Sequence, residues 1–225
     1  MSLRRLPYQL ADRAAATRDQ PRLRAARPDL AAALDAVKDD NADLRKVYAR
    51  YVDQVSRWDW AVSWPTVCLL NALCETVQPR RVLDLGSGLS TYVFARWAKR
   101  RGEDIELVSV DDSPEWLAKT REFLASEDLS ARFIDVAEFH SLPRRVFDLA
   151  FDDLGRIEVR AEAIDTLVHV MAPGAVVVLD DMNVRGYRSQ VRAKLVRQGW
   201  PLYSVRQSTI DAKGRFAMLT CAPRT

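Results

Sequence analysis

The sequence predicts an α/β fold: a doubly wound, mostly parallel sheet of seven strands with an antiparallel C-terminal hairpin, preceded by helices. Three observations carry this expectation. From Arg80 onward, short β-branched runs alternate with helical stretches, the pattern of parallel strands joined by crossover helices. Those runs are apolar almost throughout, as in Ala175-Val176-Val177-Val178-Leu179, which suits strands covered on both faces. The length of 225 residues, with 48% hydrophobic and 29% charged, fits one large domain that buries its own core.

The first thirty residues carry seven arginines against three aspartates, although the net charge of the chain is only +3. Residues 1–28 therefore read as a basic, poorly ordered leader. Residues 29–79 read as a helical lid. Leu34, Val37, Leu44, Tyr48, Tyr51, Val55 and Trp58 recur at steps of three and four once Asn41 joins the stripe, which predicts one long amphipathic helix. The same spacing fits a heptad seam with Asn41 at a core position, a route to a homodimer through the Leu34–Trp58 helix. Pro65 opens a second helix over Thr66–Thr76, and Pro79 stops it.

Residues 80–225 form the main domain. Val82–Leu85, Ile105–Val110, Ala131–Ile134, Phe147–Phe151 and Ala175–Leu179 read as five parallel strands. Leu89–Arg100, Pro114–Ser126, Arg160–Met171 and Tyr187–Arg197 read as helices. Leu202–Val205 and Phe216–Cys221 follow, separated by the turn signal Asp211-Ala212-Lys213-Gly214, and these two strands make the hairpin.

No run of about 18 apolar residues and no apolar segment behind Arg4 and Arg5 suggests a membrane span or a secretory signal, so the expected location is cytoplasmic. Three cysteines and two histidines make no paired spacing for zinc, and buried, reduced thiols are expected. The small net charge gives little support for a nucleic-acid partner.

The chemistry concentrates in Val82-Leu83-Asp84-Leu85-Gly86-Ser87-Gly88-Leu89-Ser90-Thr91, a strand running through a glycine turn into a helix. Glycines let the backbone approach a ligand, and the helix N-terminus offers free N–H groups. Asp111 ends the next strand, where an acid accepts ribose hydroxyls. The third glycine of a dinucleotide fingerprint is replaced by Thr91, and no lysine follows in P-loop spacing, which disfavours NAD, FAD and nucleoside triphosphates. Asp84 at the mouth of the loop would oppose a pyrophosphate and suit a cationic sulfonium. The same acids have structural uses: Asp84 can cap the loop, and Asp111 can cap the helix ahead of Pro114.

Through the D-x-G-x-G loop of Asp84, Gly86 and Gly88 and the acid Asp111 in V-S-V-D-D, the segment from Arg80 to Cys221 resembles the class I S-adenosylmethionine-dependent methyltransferases, a Rossmann-like family. The resemblance implies that the Gly86–Gly88 loop holds the methionine part, Asp111 the ribose, and Asp135 and Val136 the adenine. Ser87, Thr91 and Asp112 complete the implied cofactor set.

Carboxylates also cluster at the predicted carboxyl edge: Asp152 and Asp153 after the fourth strand, Asp180, Asp181 and Asn183 after the fifth. In this they resemble metal-dependent O-methyltransferases of catechols and natural-product sugars. The resemblance implies Asp152, Asp180 and Asp181 as ligands of Mg²⁺, with Asn183 an addition. Here Asp-Asp-Met-Asn stands where the catechol enzymes place Asp-Asn together, and the structural alternative is that these acids cap helices or face solvent. Asp152 and His140 are the candidate catalytic bases, with His140 alternatively an exposed turn residue and His169 a structural one. Trp58, Trp60, Trp64, Tyr48 and Tyr51 either line an acceptor pocket or pack the core. Tyr187, Arg188 and Arg215 are candidate acceptor contacts. The expected activity is methyl transfer to a hydroxyl of a small-molecule acceptor. Two rivals stand beside it: methylation of RNA or protein with the basic leader as a phosphate-tracking arm, and a non-enzymatic scaffold.

Overall fold

A computed structural model describes residues 6–37, 41–102 and 104–224. Four helices come first: α1 (Leu6–Ala26), α2 (Pro28–Asp35), α3 (Ala42–Gln54) and α4 (Trp64–Val77). Then β1 (Arg81–Leu85), α5 (Leu89–Arg101), β2 (Glu106–Asp111), α6 (Pro114–Ser126), β3 (Arg132–Asp135) and the short α7 (Val136–Phe139) alternate. β4 (Phe147–Asp152), α8 (Ile157–Val170), β5 (Met171–Leu179) and α9 (Arg185–Arg197) continue the alternation. β6 (Leu202–Ser204), α10 (Arg206–Thr209) and β7 (Met218–Cys221) close it.

The strands form one sheet in the order β3-β2-β1-β4-β5-β7-β6. The four pairings among β1 to β5 are parallel, and β7 runs antiparallel to both β5 and β6. Strand residues alternate between two cores. Val176 and Val178 join Val82, Leu149 and Phe151 on one face. Val177 and Leu179 join Leu83, Leu85 and Ala150 on the other. Each fully buried valine or leucine contributes about 1.5–3 kcal/mol, so the central strands anchor the fold. The order reverses between β1 and β4, a switch point at which open α/β sheets hold ligands beyond the carboxyl ends of their strands.

Three expectations change. The basic leader expected over 1–28 is largely helix α1, whose Ala16, Asp19 and Leu23 are buried. Asp19 accepts a hydrogen bond from the Ser204 backbone N–H of the outermost strand at 3.1 Å, so the helix covers an otherwise open edge. Two of its arginines are engaged within the chain: Arg22 with Asp19 at 3.1 Å, and Arg24 with Asp35 at 2.7 Å. Arg4 and Arg5 lie outside the described residues. The single helix expected over Leu34–Trp58 is two, because the Asn41 side chain accepts from the Leu44 N–H at 3.0 Å and caps α3. A cap of this kind stabilises by about 1 kcal/mol. Leu44 and Tyr51 then pack into the chain's own core, which removes the seam on which the homodimer expectation stood. The last two strands pair as expected, but α10 intervenes, and Asp211–Gly214 closes a local turn through the Gly214 N–H on the Asp211 carbonyl at 3.0 Å. Among the described residues no helix is long and apolar enough to cross a membrane.

Candidate active site

Beyond the carboxyl ends of β1, β2, β4 and β5 lies a cavity of about 580 Å³, within the usual range for a small-molecule site. Its floor is the glycine turn. Gly86 has φ +102°, and a Cβ there would lie 2.4 Å from the Asp153 carbonyl oxygen, so glycine is required on both conformational and spatial grounds. The Gly86 N–H donates to the Val110 carbonyl at 2.8 Å. The Ser87 N–H donates to Asp111 Oδ2 at 2.8 Å, and the Ser113 N–H to Asp111 Oδ1 at 2.8 Å. Gly88 caps α5, its N–H donating to Thr91 Oγ1 at 3.1 Å.

Gly86, Ser87, Gly88, Asp111 and Asp112 line the cavity, as expected for a cofactor site. Asp111 is held by two N–H donors while burial pushes its carboxyl up to about 6, and each oxygen keeps a lone pair for a further donor such as a ribose hydroxyl. Asp112 packs its carboxylate against Gly155, where a Cβ would meet it at 2.6 Å. The turn, the free helix N-terminus and the paired acids fit S-adenosylmethionine.

Asp84 and Thr91 lie beneath the loop, outside the cavity wall. Asp84 is fully buried and accepts from Thr91 Oγ1 at 2.5 Å and Ser90 Oγ at 3.0 Å. Burial pushes its carboxyl up to about 8, which favours the neutral form. Asp135 and Val136 do not line the cavity either; Asp135 is exposed and caps α7 by accepting from the Glu138 N–H at 2.8 Å. On the opposite wall stand Trp60 and Trp116, their ring centroids 6.3 Å apart.

The acids after β4 and β5 do not converge as metal ligands. Asp152 is fully buried and outside the cavity, its Oδ2 accepting from the Tyr187 hydroxyl at 3.0 Å. Burial pushes it up to about 7. Asp153, Asp180 and Asp181 line the cavity, and the Arg160 guanidinium lies among them. It is 2.7 Å from Asp153 and 3.3 Å from Asp181. Burial, with repulsion from Asp153 and Asp181, raises the Asp180 carboxyl. Among the described residues no group of three or more His, Cys, Asp or Glu could hold a metal ion. The donor set expected for Mg²⁺ is thus occupied by an arginine and a tyrosine, and it does not fit the ion. Asn183 is outside the cavity wall.

His140 is exposed, with Nδ1 2.7 Å from Thr166 Oγ1, away from the cavity; it does not reach the site as a base. His169 is also exposed and accepts from Arg144 Nε at 3.2 Å. Of the aromatic residues, Tyr51 and Trp60 line the cavity, while Trp64 packs edge-on to Tyr48 at 5.4 Å and Trp58 sits under Lys213 at 3.7 Å. Tyr187 is buried, and Arg188 pairs with Asp12 at 2.9 Å. Arg215 does reach the cavity and ties the Asp59 and Ala61 carbonyls to Asp211.

Residues 83–182 match the family model described as a methyltransferase domain. That segment, from β1 to the loop after β5, is similar to methyltransferase domains. The methyltransferase fold extends past the matched segment, as solved structures show. An O-methyltransferase from Streptomyces achromogenes involved in tomaymycin synthesis, in complex with SAM, is 22% identical, with 84% of this chain and 92% of that one covered at a TM-score of 0.63. The Bacillus cereus O-methyltransferase in complex with SAH is 15% identical, covering 93% and 98% at 0.62. An SAH-bound methyltransferase from Podospora anserina is 15% identical, covering 84% and 92% at 0.62. No curated protein matches the chain in sequence.

Arg160 and Trp116 escaped the sequence reading. Arg160 had a signal: it falls three residues after Ile157 and four before Ile164, on the stripe that α8 buries, where an arginine must find partners. Trp116 stands in the first turn of α6, and its ring meets that of Trp60.

Proposed function

We propose that the chain transfers a methyl group from S-adenosylmethionine to a hydroxyl of a small-molecule acceptor. The observation that carries this reading is the single cavity in which the Gly86–Gly88 turn and Asp111 face Trp60, Asp180 and Arg215. When bound, the cofactor supplies an electrophilic methyl group on a sulfonium. The residues of the chain do the rest by alignment and water exclusion, which govern displacements of this kind. Asp111 and the turn hold the adenosine and amino-acid ends. Trp60 and Trp116 offer flat apolar walls to the acceptor. Asp180, one oxygen accepting from the Asp181 N–H at 2.9 Å, is the carboxylate placed to take the hydroxyl proton.

The similarity in fold to O-methyltransferases supports the choice of oxygen as acceptor atom. Pairing of Arg22 and Arg24 within the chain draws two cations of α1 away from phosphate tracking, which favours a small acceptor over RNA. The test is incubation of the purified chain with methyl-labelled cofactor and a panel of hydroxylated aromatics and sugars, beside RNA and a protein extract. Label on a hydroxyl of a small molecule is the expected result. Label confined to RNA or protein, or no cofactor binding, overturns the reading.

A further inference from the structure

Arg160 is nearly enclosed, its side chain 4% exposed. Nε donates to the Leu154 carbonyl at 3.2 Å and Nη2 to the Gly155 carbonyl at 3.3 Å. Nη2 pairs with Asp153 at 2.7 Å and Nη1 with Asp181 at 3.3 Å. The guanidinium lies 5.7 Å over the Tyr187 ring, whose hydroxyl is bonded to Asp152. One cation therefore ties the loop after β4 to the loop after β5. Burying so large a charge is unfavourable unless it is paired and hydrogen-bonded, and here it is both.

The loop that Arg160 pins is the one on which the glycine turn rests, since the Asp153 carbonyl touches Gly86 and Gly155 touches Asp112. A divalent ion bridging the same loops would need carboxylate oxygens that the guanidinium and the Tyr187 hydroxyl already hold. Such an ion takes about six oxygen ligands, and an acceptor with two adjacent oxygens would supply part of that shell. A guanidinium engaged on four sides offers no such shell.

We propose that Arg160 is a resident cation standing in place of a divalent metal ion: it joins Asp153 to Asp181, leaves the site without Mg²⁺ affinity, and fits it to acceptors presenting a single hydroxyl rather than a chelating pair. Arg160 is a positioning residue, acting through the two loops it holds. The inference rests on the methyl-transfer reading, and the experiment separates the two.

Mn²⁺ is titrated into the full chain with S-adenosylhomocysteine present, uptake being followed by electron paramagnetic resonance and binding of the nucleoside by calorimetry. The wild-type chain is expected to take up no Mn²⁺ below millimolar levels, and Arg160→Lys to behave the same way. Arg160→Met, which frees the acids, is expected to bind Mn²⁺ at least about tenfold more tightly, through the added carboxylate charge. Asp181→Asn placed in the Arg160→Met chain should abolish that gain. Micromolar Mn²⁺ uptake by the wild-type chain that Asp181→Asn removes overturns the proposal, as does a folded Arg160→Met chain with no gain. Should Arg160→Met fail to fold, the wild-type and Arg160→Lys titrations decide: uptake overturns it and absence of uptake upholds it. Failure to bind the nucleoside contradicts the methyl-transfer reading alone.

Discussion

The two halves of the carboxyl edge hold their acids in opposite ways. After β1 and β2, Asp84 Oδ2 and both oxygens of Asp111 meet neutral donors, the hydroxyls of Ser90 and Thr91 and the N–H groups of Ser87 and Ser113. After β4 and β5, Asp153 and Asp181 are satisfied by a full positive charge on Arg160. Neutral donors leave Asp111 with capacity for a polar ligand, whereas an arginine cancels the charge it meets. The first half is built to receive; the second is built to be held, with Asp180 as the acid next to that pair. The halves touch at Gly86, against the Asp153 carbonyl.

The largest expected effect breaks the second half. Asp180→Asn should lower kcat about 10²- to 10⁴-fold, the usual worth of a general base, while cofactor affinity changes little; steady-state kinetics beside calorimetry read both. Gly86→Ala attacks the contact between the halves. With φ +102° and a 2.4 Å approach to Asp153, the turn must shift, and kcat/KM should fall about a hundredfold, as displacements of an ångström do. Asp111→Asn sharpens the first half. It keeps one acceptor oxygen and loses the charge, so cofactor affinity should weaken roughly tenfold, in line with a charged hydrogen bond of about 1.5–3 kcal/mol partly retained. Equal affinity in wild type and variant would remove Asp111 from the cradle.

A separate effect, on stability, concerns pH. The Asp84 carboxyl lies near 3.8 when solvated and is raised to about 8 in the fold. The folded state therefore binds this proton more tightly than the unfolded state. Its contribution is fully present below about pH 4 and is lost as pH rises toward 8. Asp84→Asn removes that dependence. The variant's thermal midpoint, relative to wild type, should rise by roughly 10 °C between pH 5 and pH 8.5, measured by calorimetric scans. A difference that stays constant with pH would show that Asp84 is ionised in the fold.

How far each half was legible follows from the range of its contacts. The cradle is local: Asp84 meets Thr91 seven residues on, and Ser87 reaches Asp111 through the pairing of β1 with β2, so strand, turn and acid stand in order along the chain. The seven strands were legible for the same reason, with ends shifted by only a few residues, except that β5 begins at Met171. Arg160 joins positions 153 and 181, a pairing that spacing alone does not reveal, and the acids were read as ligands for an ion because their counter-charge lay on an apolar helix. Asp84 was placed at the mouth because sequence shows a carboxylate and not its depth. The break between α2 and α3 was hidden in a stripe that Asn41 appeared to continue, although its preference for a cap was the stronger local signal.

The most direct test is a crystal structure of the chain with S-adenosylhomocysteine. The account predicts the ribose hydroxyls at about 2.6–3.2 Å from Asp111 and the amino-acid end over the Gly86–Gly88 turn, with Arg160 still between Asp153 and Asp181. A ribose away from Asp111, or a nucleoside bound outside this cavity, would contradict it.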